Sequence, residues 1–321
     1  MKILVTGGAG YIGSFMVRHL LDRGDEVVVA DSLERGHKEV IDSKAKLIVG
    51  NLKEKSFVEN IFAQDKFDAV IHFAGFISMG ESMENPFIYF QNNVFVSLNI
   101  MEEMVKTKTD NFIFSSSAGV YGNPIKIPIP EDHPTNPGNP YGESKLIVEK
   151  LMVWYQKTHG LNSVALRYFN ASGASLDGSL GEQHNPETHL IPNIIIAILK
   201  GESFKLFGTN YETKDGTCVR DYIHVLDLVQ AHVLAIEKVS KDRGMLTYNV
   251  GTGNGYSNKE VMEMVKKVSG KELSIEEVER RPGDSNSLIA DVTKIKQELG
   301  FTPKYSDLET IIKTAWAWHN K

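Results

Sequence analysis

The feature that most constrains the fold is the glycine-rich stretch 7–13, GGAGYIG, near the start of the chain. A short apolar run, Lys2–Thr6, precedes it. A helical pattern follows it, and then a second apolar run, Glu26–Asp31, ends in a carboxylate. Glycines at these positions allow a tight turn and let the backbone approach a pyrophosphate at the positive end of a helix. Strand, glycines, helix, strand and acid in this order predict a dinucleotide-binding βαβ unit, and an ordinary structural turn is the alternative.

The same alternation continues through the first half of the chain. Strand-like runs at 46–49, 69–73, 111–115 and 163–168 are separated by helical patterns. This predicts an α/β fold with a Rossmann-type doubly wound parallel sheet and right-handed crossovers. We expect the dinucleotide-binding domain to span 1–170, with return elements near 225–250. Residues 171–321, which begin in Gly-rich polar sequence, are predicted to form mainly a smaller mixed α/β substrate-binding lobe.

Three polar residues form the candidate catalytic group. Tyr141 and Lys145 are four residues apart and so share one face of a predicted helix, while Ser117 ends a strand-like run upstream. A nearby ammonium lowers the pKa of a phenol, which ordinarily titrates near pH ~10. The spacing alone is common among surface residues. Beyond the carboxyl edge of a parallel sheet, where such folds carry their active sites, it predicts a proton-transfer site.

Asp31 indicates which dinucleotide is bound. A carboxylate at the end of the second strand accepts hydrogen bonds from the adenosine ribose hydroxyls and repels a 2′-phosphate. Arg35 is the opposing signal, because an arginine nearby can accommodate that phosphate. We give more weight to Asp31, since it occupies the strand end itself, and predict NAD as the cofactor.

Composition excludes several classes of protein. The 321 residues carry a net charge of -6 with scattered basic residues, which argues against a nucleic-acid partner. One cysteine, Cys218, excludes a disulfide framework and a cysteine-based zinc cluster. No His-Glu-x-x-His pattern occurs, so we expect no metal site, with His72 and His224 as core histidines. The first strand begins at residue 2 and no apolar run reaches membrane-spanning length, so we expect no signal peptide, no membrane contact and a cytoplasmic location.

One helix has more apolar surface than a single sheet can bury. Apolar residues cover nearly the whole circumference of the predicted Tyr141–His159 helix, whereas packing against a sheet needs one stripe. We predict a homodimer in which this helix and the Asn92–Lys106 helix form a four-helix bundle with their copies. Burial of the second face under the smaller lobe is the alternative.

Two arginines in the second half are candidate phosphate ligands. Arg220 lies in VRDYIH and Arg281 lies in RRPGD. Arginine binds phosphate groups through two parallel N–H donors, so the pair is consistent with a diphosphate ligand. Surface salt bridging is the alternative for either residue taken alone.

Seven motifs together resemble the extended short-chain dehydrogenase/reductase family, and within it the UDP-glucose (UDP-galactose) 4-epimerases, over essentially the full chain. They are TGGAGYIG at 6–13, FAG at 73–75, SSSAGVYG at 115–122, YxxxK at 141–145, RYFN at 167–170, VRDYIH at 219–224 and RRPGD at 280–284. A related sugar 4,6-dehydratase would carry Thr-Asp-Glu where Ser116, Ser117 and Ala118 stand. The resemblance implies reversible NAD-dependent epimerisation at C4 of a UDP-hexose, UDP-galactose to UDP-glucose, through a 4-keto intermediate.

The resemblance also implies roles for individual residues. Tyr141 would be the base, Ser117 would relay the proton, and Lys145 would lower the pKa of the phenol and hold the nicotinamide ribose. The predicted cofactor-binding residues are Gly7, Gly10, Tyr11, Ile12, Gly13, Asp31, Asn51, Leu52, Phe73, Ala74, Gly75, Asn92, Tyr141, Lys145 and Tyr168. The predicted substrate-binding residues are Ser117, Asn170, His189, Leu190, Phe207, Arg220, Tyr222, Arg281, Asp284 and Leu288.

Four positions depart from the family pattern. Asn51 replaces an Asp that contacts the adenine, Ile77 replaces a Lys near the nicotinamide ribose, and His189 replaces an Asn on the substrate side. Leu288 aligns with the residue that gates the sugar pocket, where Tyr goes with glucose and galactose only and a small residue admits N-acetyl sugars. Leu is intermediate, so a UDP-N-acetylhexosamine or UDP-uronate 4-epimerase remains an alternative. A non-catalytic dinucleotide-sensing protein is a further one.

Overall fold

The computed structural model describes residues 1–281 and 284–321, so Pro282 and Gly283 of the predicted RRPGD motif lie outside the described residues. The strands are β1 (Lys2–Thr6), β2 (Glu26–Asp31), β3 (Lys46–Val49), β4 (Ala69–His72), β5 (Asn111–Ser117), β6 (Asn162–Tyr168), β7 (Asn170–Ser172), β8 (Phe204–Phe207), β9 (Val219–Arg220), β10 (Tyr222–His224), β11 (Met245–Val250), β12 (Tyr256–Ser257), β13 (Ile275–Val278) and β14 (Ser287–Leu288). The helices are α1 (Tyr11–Asp22), α2 (Lys55–Gln64), α3 (Met79–Glu84), α4 (Pro86–Tyr89), α5 (Val96–Thr107), α6 (Pro140–His159), α7 (Leu190–Lys200), α8 (Val225–Val239), α9 (Asn258–Ser269), α10 (Thr293–Leu299) and α11 (Leu308–His319).

The chain divides into two compact units. Unit 1 comprises Met1–Gly122, Thr135–Arg167 and Val229–Tyr248, and unit 2 comprises Asn123–Pro134, Tyr168–Leu228 and Asn249–Lys321. We predicted that the second unit begins after residue 170 and that the chain returns to the first unit near 225–250. We did not predict that the earlier segment Asn123–Pro134 belongs to the second unit. Composition suggests a surface loop for the Pro-rich stretch 124–140, whereas Ile129 is fully buried and its N–H donates to the Ile289 carbonyl at 2.9 Å.

The main sheet confirms the predicted fold class. Its seven strands lie in the order β11-β6-β5-β4-β1-β2-β3, and β1 pairs in parallel with both β2 and β4. The inner strands are continuous apolar runs, such as the buried Val27–Ala30 of β2, as is typical of a parallel sheet covered on both faces. The carboxyl ends of β1, β2, β4 and β5 therefore bring the glycine turn, Asp31, the 73–75 segment and Ser117 to one edge.

Helix α6 begins and ends with strong local signals. The Asn139 side chain accepts a hydrogen bond from the Gly142 N–H, Pro140 occupies the first turn, and Gly160 ends the helix in the left-handed region. One face carries Val148 and Met152 into the core of unit 1. The helix therefore holds Tyr141 and Lys145 in its first two turns against the sheet.

Unit 2 is a mixed α/β structure of small sheets and helices. Strand β9 pairs antiparallel with β12 and parallel with β14, β7 pairs with β10, and β8 pairs with β13. Its core is built from apolar residues of α7, α9 and α11, including Ile194, Val265 and Ile311. Among the residues described, none of the helices has the length and apolar character that crossing a bilayer requires.

Candidate active site

The glycine turn after β1 is too tight for side chains. Gly7 has a φ of +72°, and a Cβ there would lie 2.5 Å from the Ala74 nitrogen. A Cβ on Gly13 would lie 2.2 Å from the Gly7 carbonyl oxygen. Gly10 caps α1 without a side chain, so the positive end of the helix is presented by backbone N–H groups. This cradle has the shape and charge that a pyrophosphate requires.

A Gly13→Ala variant is expected to lose the dinucleotide site. The new methyl group would collide with backbone rather than with a movable side chain, which costs about 1–3 kcal/mol of stability and displaces the turn. We expect little or no nicotinamide released on denaturing the purified variant, measured by absorbance and enzymatic assay. Gly80→Ala is the matched control, since nothing lies within 4 Å of the position that its Cβ would take. Equal nicotinamide content in both variants would contradict the assignment of the turn.

Asp31 and Arg35 fit NAD rather than NADP. The Asp31 carboxylate accepts hydrogen bonds from the Ala9 N–H at 3.0 Å and the Leu33 N–H at 2.9 Å, which orients it and leaves lone pairs for ribose hydroxyls. Arg35 instead binds both carboxylate oxygens of Glu81, at 3.0 and 2.7 Å, and stacks on the Phe76 ring at 3.6 Å. The charge of Arg35 is thus already paired with Glu81, so this arginine no longer argues for the 2′-phosphate of NADP.

Ser117, Tyr141 and Lys145 come together as predicted from their spacing. The Ser117 hydroxyl accepts the Gly119 N–H at 3.0 Å and is hydrogen-bonded to the phenol of Tyr141, whose pKa this bond lowers. Lys145 lies one turn further along α6. Its ammonium donates to the Ser115 carbonyl at 2.8 Å and lies 5.9 Å from the centre of the Tyr141 ring. The three side chains form one polar group at the end of β5, in which Lys145 is buried and Ser117 and Tyr141 are half-buried.

The electrostatics of this group differ from the simple expectation. Burial raises the pKa of Tyr141, and this outweighs the opposite effect of the Ser117 hydrogen bond. Burial also lowers the pKa of Lys145 to about 7, although the Glu149 carboxylate raises it. Desolvation disfavours both charged forms, and the Tyr–Lys spacing in the sequence does not reveal it.

A buried ion pair supports the catalytic helix one turn after Lys145. Arg167 donates to Glu149 through Nη2 at 2.6 Å and through Nε at 3.0 Å, and Glu149 also accepts the Ser116 hydroxyl at 2.5 Å. The remaining side of the guanidinium reaches the Tyr121 hydroxyl at 3.0 Å. The pair ties α6 to β5 and β6, the strands that flank the site.

The segment after β4 is held by an asparagine that the sequence analysis missed. The Asn93 amide accepts the Phe76 N–H at 2.8 Å and donates to the Phe76 carbonyl at 3.0 Å and the Ser144 hydroxyl at 2.9 Å. It lies in a π-helical segment, Phe90–Phe95, of a type often found at functional sites. The predicted neighbour Asn92 instead donates to Ile88 of its own helix at 2.8 Å. The sequence signal that could have identified Asn93 is a polar residue within an otherwise apolar helical pattern.

The other predicted cofactor positions of unit 1 lie along the same edge. Tyr11 and Ile12 occupy the first turn of α1 and are half-buried. The Leu52 carbonyl accepts from Asn99 at 3.0 Å, and the Asn51 side chain accepts the Lys53 N–H at 3.0 Å. His72 in β4 is a core histidine as predicted. It is hydrogen-bonded to Thr6 and Ser97, and burial lowers its pKa to about 3.

Unit 2 collects most of the predicted substrate residues into neighbouring groups. Arg220 and Leu288 are register partners on β9 and β14, and Arg220 lies 3.7 Å from Asp284. The guanidinium of Arg281 stacks on the Phe207 ring at 4.0 Å, and the Arg281 carbonyl accepts the Asp284 N–H at 3.3 Å. Unit 2 thus carries one arginine stacked on an aromatic ring and a second beside Asp284, and arginines bind the phosphates of a nucleotide diphosphate well.

The remaining predicted residues of unit 2 lie on β7, β10 and around the start of α7. Asn170 pairs with Tyr222 in register, and its side chain donates to the Asp221 carbonyl at 2.9 Å. Tyr168 begins unit 2, and Leu190 is the first residue of α7. The ring of His189 contacts the Glu182 carboxylate. His224 is the second predicted core histidine, and burial lowers its pKa to about 4.

Comparisons with known proteins agree on one family. The NAD dependent epimerase/dehydratase family matches residues 3–251. A UDP-glucose 4-epimerase of Lactobacillus helveticus is 47% identical over 320 residues, covering 99% of this chain and 97% of its own. The structure of a Brucella ovis UDP-glucose 4-epimerase in complex with NAD superimposes with a TM-score of 0.95 at 43% identity, covering 98% of this chain and 97% of that one. The structure of a Bifidobacterium longum UDP-glucose 4-epimerase in complex with NAD+ and UDP superimposes with a TM-score of 0.94 at 35% identity, covering 100% of this chain and 98% of that one.

Proposed function

The chain belongs to the NAD dependent epimerase/dehydratase family, and on that premise we propose that it interconverts UDP-galactose and UDP-glucose by epimerisation at C4, as part of galactose metabolism. The observation that carries the proposal is the polar group in which Ser117 lowers the pKa of the Tyr141 phenol and the buried Lys145 follows one turn later on α6. A phenol held by a hydroxyl can pass a proton to and from a sugar hydroxyl. The proposal includes a cytoplasmic location.

The residues of unit 1 fit NAD, because the glycine cradle excludes a Cβ and Asp31 is oriented for ribose hydroxyls. The pyrophosphate would be held at the first turn of α1. When bound, NAD supplies the hydride acceptor for C4 and a positive ring charge that favours the phenolate form of Tyr141. Lys145, fixed by the Ser115 carbonyl, would hold the nicotinamide ribose.

The protein's own part in the reaction is proton transfer at the C4 hydroxyl. Tyr141 takes that proton as C4 becomes a ketone and returns it when the alcohol is re-formed. Ser117 would relay the proton between the C4 hydroxyl and Tyr141, and its oxygen is held by the Gly119 N–H. One phenol therefore serves as base and then as acid.

Residues of unit 2 would hold the UDP moiety. Arg220 and Arg281 supply the positive charge for the diphosphate, and Phe207, beneath Arg281, offers a flat apolar face to the base. Asn170, His189, Leu190 and Tyr222 complete the proposed contacts. Leu288, the register partner of Arg220, lies beside the proposed diphosphate ligands, where a larger or smaller side chain would change the room for the sugar.

The proposal is tested by assaying purified protein side by side with UDP-galactose, UDP-N-acetylgalactosamine and UDP-glucuronate. We expect UDP-glucose from UDP-galactose. Turnover of only an acetamido sugar or only a uronate would replace the substrate with that of the related 4-epimerases. No turnover of any of the three, with NAD still bound, would favour the non-catalytic dinucleotide sensor.

We also propose that the active form is a homodimer built on the Asn92–Lys106 and Tyr141–His159 helices. Large apolar side chains remain exposed on both: Phe95 is 55% exposed, Val153 36% and Trp154 61%. Neighbouring apolar residues of this size on paired helices are typical of an interface rather than of a solvated surface.

Replacing Trp154 with glutamate is expected to weaken dimerisation at least about 30-fold, since a buried interface tryptophan commonly contributes 2 kcal/mol or more. Sedimentation velocity at a series of concentrations measures the change. Leu176→Glu is the control, because this equally exposed leucine lies outside both helices. A wild-type protein that is monomeric at high concentration would refute the dimer.

A further inference from the structure

Four potential metal ligands meet in unit 2, in the segment that leads into α7. They are Glu182, His184, Glu187 and His189, and their ligand atoms all lie within 4.8 Å of one another. His184 Nδ1 lies 3.1 Å from Glu182 Oε1 and 3.7 Å from Glu187 Oε1. His189 Nδ1 lies 3.6 Å from Glu187 Oε1 and also contacts Glu182 Oε1 directly. Both imidazoles thus direct the same ring nitrogen at the same two carboxylate oxygens.

These separations are close to those of a four-coordinate metal site. Zinc binds imidazole nitrogen and carboxylate oxygen at roughly 2.0–2.2 Å, so ligand atoms around a tetrahedral ion lie roughly 3.4 Å apart. Three of the four measured nitrogen–oxygen separations, 3.1, 3.6 and 3.7 Å, bracket that value. An ion at the centre requires only a small outward shift of His189 from Glu182.

The two carboxylates of this cluster need two positive charges nearby. The carboxylates are the least exposed members, with the Glu182 side chain 4% exposed and the Glu187 side chain 7% exposed, and paired buried carboxylates are costly without cations. Two imidazolium rings could supply that charge as separate cations. Their ring centres are only 5.4 Å apart, so they repel each other. One divalent ion delivers the same charge and is attracted by all four ligands.

The surrounding structure holds the carboxylates in place. The Trp318 indole N–H donates to the Glu182 carbonyl at 2.9 Å, which fixes the backbone at the first ligand. Glu187 accepts the N–H groups of Thr188 at 2.7 Å and His189 at 2.9 Å. The histidines are more exposed, at 22% and 43% of their side chains, which gives an ion a route from solvent.

We propose that Glu182, His184, Glu187 and His189 form a binding site for a divalent transition-metal ion of the zinc class. Four protein ligands close the coordination sphere, so the ion is structural and takes no part in the proton transfer of unit 1. It fixes segment 182–189 at the first turn of α7, next to Leu190. In the sequence these ligands follow the pattern E-x-H-x-x-E-x-H, which differs from the His-Glu-x-x-His spacing of a common zinc motif.

The test begins with untagged protein stripped with a chelator and dialysed, then titrated with zinc chloride by calorimetry. We expect one zinc per chain and a rise in the thermal midpoint of roughly 3 °C or more at saturating zinc. His184→Asn should weaken zinc binding at least about 10-fold. His37→Asn is the matched control, since His37 lies 3.6 Å from a single carboxylate, Glu39, and should bind zinc as the wild type does.

Absence of stoichiometric zinc binding by the wild type, or equal affinity in His184→Asn, would overturn the proposal. Should His184→Asn fail to fold, cobalt chloride titrated into the wild-type protein decides the matter. Strong visible absorption of the tetrahedral kind supports the site, and only the weak absorption of hydrated cobalt overturns it. Turnover of UDP-galactose does not enter either readout, so the result is independent of the proposed function.

Discussion

Replacing Tyr141 with phenylalanine is expected to lower kcat for UDP-galactose by about 10²–10⁴-fold, the range over which a positioned general acid–base acts. Phenylalanine keeps the ring and its edge contact with Tyr89, whose ring centre lies 6.5 Å away, and removes only the phenol oxygen. The glycine cradle and Asp31 are untouched, so bound nicotinamide should remain at the wild-type level. Initial rates and nicotinamide content measured on the same preparation separate the two effects.

Tyr155→Phe is the matched control for this change. Tyr155 lies on the same helix, and its hydroxyl donates to Glu102 rather than to any residue of the catalytic group. We expect wild-type turnover from it. If Tyr141→Phe retained comparable activity, the phenol would not be the proton carrier, and Ser117 would be the next candidate.

The second large effect concerns stability. Glu149→Gln should lower the free energy of unfolding by about 3–5 kcal/mol, because it leaves the buried guanidinium of Arg167 without its counter-charge. Urea denaturation followed by circular dichroism measures the change. Asp242→Asn removes a carboxylate from the exposed pair with Lys238, also in unit 1, and should cost at most about 1 kcal/mol.

The loss of stability in Glu149→Gln comes from leaving Arg167 as an unpaired buried charge, rather than from the lost attraction itself. A double variant tests this explanation. Replacing both Glu149 and Arg167 with methionine should recover much of the stability lost in Glu149→Gln, since two apolar side chains leave no buried charge. A double variant less stable than Glu149→Gln would show that the hydrogen bonds to Ser116 and Tyr121 dominate instead.

Much of the fold was predictable because its signals are local. Strand, glycine turn and helix follow each other within the first 22 residues, and the apolar runs of β2, β4 and β5 mark strands buried on both faces. The positions of the candidate catalytic residues could be predicted for the same reason: Tyr141 and Lys145 are placed by helical spacing, and Ser117 by its place at the end of β5.

What could not be predicted depends on contacts between distant residues. Asn92 and Asn93 lie in the same π-helical segment, but only Asn93 contacts Phe76 and Ser144, whereas Asn92 donates to the Ile88 carbonyl. The Glu149–Arg167 pair joins α6 to β6, and neither residue shows its partner in the sequence. The raised pKa of Tyr141 follows from burial, which no spacing rule contains.

The most direct test of the proposed reaction is to run it in D2O. Because Tyr141 and Ser117 exchange protons only with the C4 hydroxyl, UDP-glucose formed from UDP-galactose should retain protium on the C4 carbon, as measured by proton NMR. Deuterium at C4 would mean that a protein base removes the carbon-bound proton instead, and would contradict the account.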